Sequence, residues 1–409
     1  MAKRIIQHGF LVTAILEDNT TNENIDISSY VTAVFCRKRF LTDSFPLFVI
    51  NLETTIAIRD RIRDNNCQIN LTISCYSINT TSDGTGLDST DFTPEEIVYT
   101  GRIRIYDKPF TTTAVTDDVD NSESDITAKE AIPFISYRVA GVPDSLLSAN
   151  EDIVGEIYKD ATLTDAIVNI LSKSDIYDIK IQEVDNKELY KNIIVPPLSM
   201  VPALNFLDGT YKVYNGGLNL FMDETNNPTI YCYAPISSSM KTTNMLECSV
   251  LSPSVTNSVQ ENAIPSIDDD GNIYISYRNL PPFNHSKEIV DHSIGTENVF
   301  YSYDEYYNLN IRSQSLDSNY RKVRYIWNPE KIKNVETDFM DIQKHSASMQ
   351  LIFSNMNPSL INPLTLLRVI SPDYPDADGD YFISEASYAI SSSDYRHFNG
   401  NISIICLKK

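Results

Sequence analysis

Glycine and tryptophan are scarce in this chain, at 13 and 1 of 409 residues. So few glycines disfavour the glycine-rich loops that cradle phosphates and cofactors. No Walker loop, Gly-x-Ser-x-Gly elbow or dinucleotide fingerprint occurs. Histidine is also scarce: His8, His285, His292, His345 and His397 never pair at i, i+4, so a zinc site lacks its ligand cluster. No stretch reaches the 18 or so consecutive apolar residues that a spanning helix needs. The six cysteines, Cys36, Cys67, Cys75, Cys232, Cys248 and Cys406, form no C-x-x-C pair, and several sit in apolar strand patterns. Buried free thiols are expected, and structural disulfides are not. The basic start Met1-Ala-Lys-Arg4 lacks the apolar run of a signal peptide, because Gln7 and His8 interrupt it; synthesis into a cytoplasm is expected.

Positive charge is also short. Lys plus Arg number 33 against 55 Asp plus Glu, a formal net charge of −22. A protein that grips nucleic acid through phosphates, or docks on an anionic membrane surface, needs the opposite sign. The length suggests two or three domains, with enough chain to bury a real core.

What is present is mostly strand pattern. In Gln68 to Tyr76, Ile69, Leu71, Ile73 and Cys75 alternate with Gln68, Asn70, Thr72 and Ser74, the period of a half-buried strand. Tyr30 to Phe40, Phe45 to Leu52 and Val98 to Tyr106 are further strands, with a helix expected over Glu53 to Asn65. The first 110 residues thus form a small β-barrel or sandwich with one helix. The middle changes character. Thr162 with Asp165 resembles a capping box before the apolar stripe Leu163, Ile167, Ile170 and Leu171. A second helix is expected from Ser199 to Asp208. Asn215-Gly216 is a hairpin signal between Lys212–Tyr214 and Gly217–Phe221, and Thr229 to Tyr233 adds a strand. From about Leu246 strands return, at Asn272–Tyr277, Tyr320–Trp327, Ser348–Ser354, Leu364–Ile370, Tyr381–Ile390 and Asn401–Leu407.

Acidic clusters offer the nearest thing to a site. Asp268-x-Asp270-x-Asn272 and Asp376-x-Asp378-x-Asp380 begin like calcium loops. The glycine at position six and the glutamate at position twelve are missing, being Ile273 and Asn279 in one and Tyr381 and Ser387 in the other. Turns are the simpler reading. Val115 to Asp125, with Asp117, Asp118, Asp120, Glu123 and Asp125, is an exposed linker or an acidic arm for a basic partner. No nucleophile, metal or cofactor constellation emerges. The expectation is a non-enzymatic structural or binding protein with no catalytic, cofactor-binding or metal residues.

Order and wording add a resemblance. The run Asn192-Ile-Ile-Val-Pro-Pro-Leu-Ser-Met-Val-Pro-Ala-Leu-Asn-Phe-Leu-Asp208, followed by Tyr214-Asn-Gly-Gly-Leu-Asn-Leu-Phe-Met-Asp223, resembles the central segment of tailed-phage baseplate hub proteins. The opening through Gly101-Arg-Ile-Arg-Ile-Tyr106 fits, as does the ending, Asp378-Gly-Asp-Tyr-Phe-Ile383 to Asn399-Gly-Asn-Ile-Ser-Ile-Ile405. The same fold opens type VI secretion spike proteins and distal tail proteins.

The resemblance implies a mainly β fold with an α+β insert. Two tail-tube-like barrels, 1–135 with one helix and 246–409, would flank a module over 136–245, and later strands would be able to complete the first barrel. It implies a virion structural protein of the tail tip, assembled in the host cytoplasm. A homotrimeric pseudo-sixfold ring would join the tail tube protein to the central spike protein, touch a baseplate wedge or tape-measure protein, and let DNA pass. Spike and lytic domains are expected on separate chains. An acidic lumen would repel phosphates. The rivals are a tail-associated receptor-binding adhesin, which the 24 tyrosines permit, and a β-rich cell-wall hydrolase.

Overall fold

The computed structural model describes residues 4–5, 8–41, 44–77, 96–107, 113–114, 134–173, 178–214, 217–223, 228–234, 244–250, 265–277, 280–284, 295–303, 309–314, 320–327, 347–394 and 397–408. The fold is mainly β, with an α+β insert in the middle of the chain.

Alternation builds the first group of strands. In Cys67–Ser77 the side chains of Ile69, Leu71, Ile73 and Cys75 are buried, while Asn70 and Thr72 on the other face are half-buried. This strand lies antiparallel between His8–Asp18 and Glu96–Asp107. Antiparallel pairing continues from Glu96–Asp107 to Phe134–Pro143, then Leu47–Thr55, then Val31–Arg39. The next neighbour comes from the far end of the sequence: residues 385–391 of the long strand Gly379–Asp394 pair with residues 33–39. Its hairpin partner His397–Lys408 returns to His8–Asp18, where Phe398 stands opposite Phe10. The eight strands form a closed circuit of neighbours.

The closure is tight. A Cβ on Gly400 would lie 2.4 Å from Cε2 of Phe10, so glycine is the residue that fits beside the ring. Phe10, with 1% of its surface exposed, then seals the seam where the two ends of the chain meet.

A second group of strands grows from the same hairpin. Asn244–Val250 lies parallel between Ile273–Tyr277 and Thr365–Ile370. Thr365–Ile370 pairs antiparallel with the start of Gly379–Asp394, Leu366 opposite Phe382. On the other side, His397–Lys408 pairs with Ser348–Ser354. The hairpin therefore belongs to both groups. The long strand changes groups at a bulge between Ile383 and Glu385, and bulges of this kind re-aim a strand. At the bulged residue, the Ser384 hydroxyl donates to the Ile405 carbonyl at 2.9 Å and the Ser384 carbonyl accepts from the Phe40 N–H at 2.9 Å. One apolar core runs through both groups, from Leu71 and Ile50 in the first to Leu351, Leu367 and Ile404 in the second.

The middle module has its own core, around Leu163, Ile167, Ile193, Leu204 and Ile230. Its helices are Asp144–Glu151, Leu163–Ser172 and Met200–Tyr211. Ile153–Ala161 and Tyr190–Ser199 form a two-stranded ribbon. Thr229–Tyr233 lies between Asp178–Ile181, parallel, and Asn219–Asp223, antiparallel. The capping box forms as its spacing expects: the Thr162 hydroxyl accepts from the Asp165 N–H and Asp165 Oδ2 accepts from the Thr162 N–H at 2.9 Å. The next helix starts after Ser199, but the Ser199 hydroxyl makes no cap. Asn150 Oδ1 accepts from the Val201 N–H at 3.0 Å instead, tying the start of this helix to the helix Asp144–Glu151.

Two local expectations are revised. The first helix spans Ile56–Asp64, not Glu53 to Asn65, because Glu53, Thr54 and Thr55 are held in the sheet opposite Ser136, Ile135 and Phe134. Lys212–Tyr214 is not a strand. Lys212, at φ 57°, ends the preceding helix, and Asp208 Oδ1 accepts from the Val213 N–H at 3.2 Å. The hairpin instead joins Asn219–Asp223 to Thr229–Tyr233; Asn215 and Gly216 lie outside the described residues. So does the acidic segment Val115 to Asp125.

Phe134–Pro143 crosses residues 135 and 136, the limit expected for the first segment, and pairs along its length with the first group. Gly295–Tyr303, Leu309–Gln314 and Tyr320–Trp327 form a separate three-stranded sheet. Among the described residues no helix is long and apolar enough to cross a membrane.

Candidate functional site

The two strand groups and the middle module meet at residues 38–40. Strand alternation turns Cys36 and Lys38 inward, and Phe40 follows them into the core. The Phe40 N–H donates to Ser384 at the bulge. Its carbonyl accepts from the Tyr233 hydroxyl and from Asn219 Nδ2, at 2.5 Å for the latter. Its ring packs edge-on against Phe221, with centroids 5.0 Å apart. One residue thus touches all three bodies.

Beside it lies a buried ion pair. Lys38 Nζ sits 2.8 Å from Asp223 Oδ2, with 3% and 4% of the side chains exposed. An isolated charge at either place would be costly, and pairing offsets that cost. Nearby, burial pushes the Cys36 thiol up to about 12, against a smaller pull from Lys38. Burial, with the neighbouring Cys36, likewise raises the Tyr388 phenol well above its usual value. Both stay protonated at neutral pH, and the buried Cys36 thiol packs in the core. All six cysteines are buried free thiols.

The opposite side of the same strands is partly exposed. Ser348–Ser354, His397–Lys408, Gly379–Asp394, Val31–Arg39, Leu47–Thr55 and Phe134–Pro143 make six consecutive antiparallel neighbours. Their outward positions include Phe35, 41% exposed, and Ile352, 52% exposed, with Leu47 and Val49 half-buried between them and small residues such as Ser387, Ala389 and Ser403 around. The face joins both strand groups because the shared hairpin runs through it.

The acidic turns do structural work. Asp268 Oδ1 accepts from the N–H groups of Asp270 and Asn272 at 3.0 and 2.9 Å; Oδ2 accepts from Asn272 Nδ2 and the Tyr274 hydroxyl at 3.1 and 2.8 Å. Burial opposes ionisation there, but these donors outweigh it and hold the carboxyl below its usual range. In the other turn, Asp378 accepts from the Ser371 N–H and Asp380 pairs with Arg368 at 2.9 Å. Among the described residues no three His, Cys, Asp or Glu side chains gather as a metal set. His8 and His397 lie on the first and last long strands, far apart in sequence; His285, His292 and His345 are outside the described residues.

Asp223 ends a run quoted for the family resemblance, and its pairing with Lys38 is not read from the sequence. The signal was present: a lysine at an inward position between Cys36 and Phe40 demands a carboxylate. Ser384 carried no such signal, because a bulge leaves alternation readable on both sides.

The model of the family described as "Bacteriophage PBS1 gene 109 protein" matches residues 7–279. No curated protein matches. Among solved structures, a tail protein from Neisseria meningitidis MC58 is similar at 11% identity, with 97% of this chain and 96% of that one covered and a TM-score of 0.48. The 43 kDa tail protein of prophage MuSo2 from Shewanella oneidensis is similar at 11% identity, with 97% and 96% covered and a TM-score of 0.45. A chain of a Francisella PdpA–VgrG complex is similar at 9% identity, with 98% and 58% covered and a TM-score of 0.42. The family match carries the classification.

Proposed function

The chain belongs to the bacteriophage PBS1 gene 109 protein family, and from that premise we propose that it is a non-enzymatic structural protein of the tail tip, the baseplate hub. In this reading the two strand groups are tail-tube-like barrels. Three copies form a pseudo-sixfold ring between tail tube and central spike, and DNA passes through without being held.

The observation that carries the reading is the shared hairpin. Gly379–Asp394 and His397–Lys408 are hydrogen-bonded into both strand groups. Two barrels joined by a common ladder cannot rotate against each other without breaking it. A ring that matches six tube subunits with three chains needs pairs of barrels at a fixed spacing. The excess of 55 acidic over 33 basic residues suits a channel that must release a polyanion. The buried cysteines and self-satisfied acidic turns described above suit a scaffold.

Gold labelling of a tag on this chain in purified virions tests the placement. Label at the tail tip is expected; label on fibres or along the tail shaft would contradict it.

A further inference from the structure

On this six-strand face Arg37 and Arg138 make no ion pair among the described residues. Arg37 and Arg138 both line its trough, with Phe35, Leu47 and Val49 between them. The register places Arg37 opposite Leu47 and Arg138 opposite Asn51, so the two guanidinium groups flank the Leu47–Thr55 strand from its two neighbours. Arg37 Nε is buried and has no acceptor. Arg39, on the same face, is 3.4 Å from Glu385, which answers that carboxylate. Glu53 lies farther along, opposite Ser136.

Arginines with no acidic partner among the described residues are out of place on an apolar floor in a chain of net charge −22. A desolvated guanidinium N–H without an acceptor is unfavourable, and arginine forks match carboxylates in two-point geometry. We propose that this face docks an acidic segment of a partner polypeptide in extended form, its carboxylates on Arg37 and Arg138 and its alternate apolar side chains on Phe35 and Val49. Charge complementarity selects an acidic occupant. The apolar floor selects polypeptide over nucleic acid, since two cations neutralise too few phosphates to hold a duplex. The proposal rests on this face alone and does not require the tail-tip placement.

The test uses the full chain and a fluorescein-labelled decapeptide of alternating Val and Glu, read by anisotropy at low salt. Saturable binding is expected. It should weaken at least tenfold in the Arg37→Gln/Arg138→Gln double variant and stay unchanged in Arg63→Gln, whose arginine pairs with Asp60 and Asp64 on the helix Ile56–Asp64. Ser387→Glu, which sets a carboxylate opposite Arg37, should also abolish binding; it serves if the double variant does not fold. Absence of binding, or binding indifferent to both changes, overturns the proposal. So does tighter, Arg37-dependent binding of a 20-base-pair duplex, which would make this a nucleic-acid face.

Discussion

Lys38 and Asp223, 185 residues apart, form a 2.8 Å ion pair that fastens the middle module to the first strand group. Removing one partner leaves the other charge buried. Lys38→Met is therefore expected to cost about 3–5 kcal/mol, whereas Lys38→Met with Asp223→Leu should recover much of the loss. Denaturant unfolding of both variants checks this. Additive losses would mean the two side chains do not act as a pair.

The closing seam at Gly400 makes a second prediction. Gly400→Val forces atoms into the Phe10 ring, which a Cβ would already meet at 2.4 Å. Overpacking of this kind costs about 1–3 kcal/mol. Pairing the change with Phe10→Ala should relieve the clash at the expense of a cavity, and thermal melting of the set would show it. A melting point unchanged in Gly400→Val would place Phe10 elsewhere.

Acid should loosen the end of the first long strand. Burial works against ionisation of Asp18, but hydrogen bonds from Asn65 Nδ2 at 2.7 Å and from the Thr20 and Thr21 N–H groups hold its carboxyl at about 2. A folded value below the unfolded one stabilises the fold above about pH 4. That contribution is lost as pH falls from about 4 toward 2. Asp18→Asn is expected to lower stability at pH 7 and to flatten the acid limb of the melting profile. An acid limb equally steep in the variant would remove Asp18 from the account.

The six cysteines are expected to resist a thiol reagent in the native protein at pH 8 and to react in full once unfolded. Each is buried, and burial raises the Cys36, Cys232 and Cys248 thiols to about 12. Rapid labelling of a native thiol would contradict the packing around it.

Much of this fold is legible in the sequence where one face of a strand is apolar and the other polar. Cys67–Ser77, Ser348–Ser354 and His397–Lys408 all stand where their alternation puts them. The Thr162–Asp165 cap is equally local and equally legible. Legibility ends where partners are distant. Glu53 suits a helix start by its charge, but pairing of Glu53–Thr55 with Phe134–Ser136 keeps the segment in the sheet. Lys212–Tyr214 precedes a strong turn signal, but the Asp208 carboxylate holds it as a helix end. The 38–40 junction gathers Ser384, Asn219 and Tyr233 from three parts of the chain, and no local pattern encodes such a meeting.

The most direct test of the central claim is an electron-microscopy reconstruction of the intact tail. The expected result is three copies of this chain around the tail axis at its tip, the two strand groups of each copy alternating in a ring of six beneath the tube, around an open channel. A single copy, a copy number other than three, or a position away from the axis would contradict it.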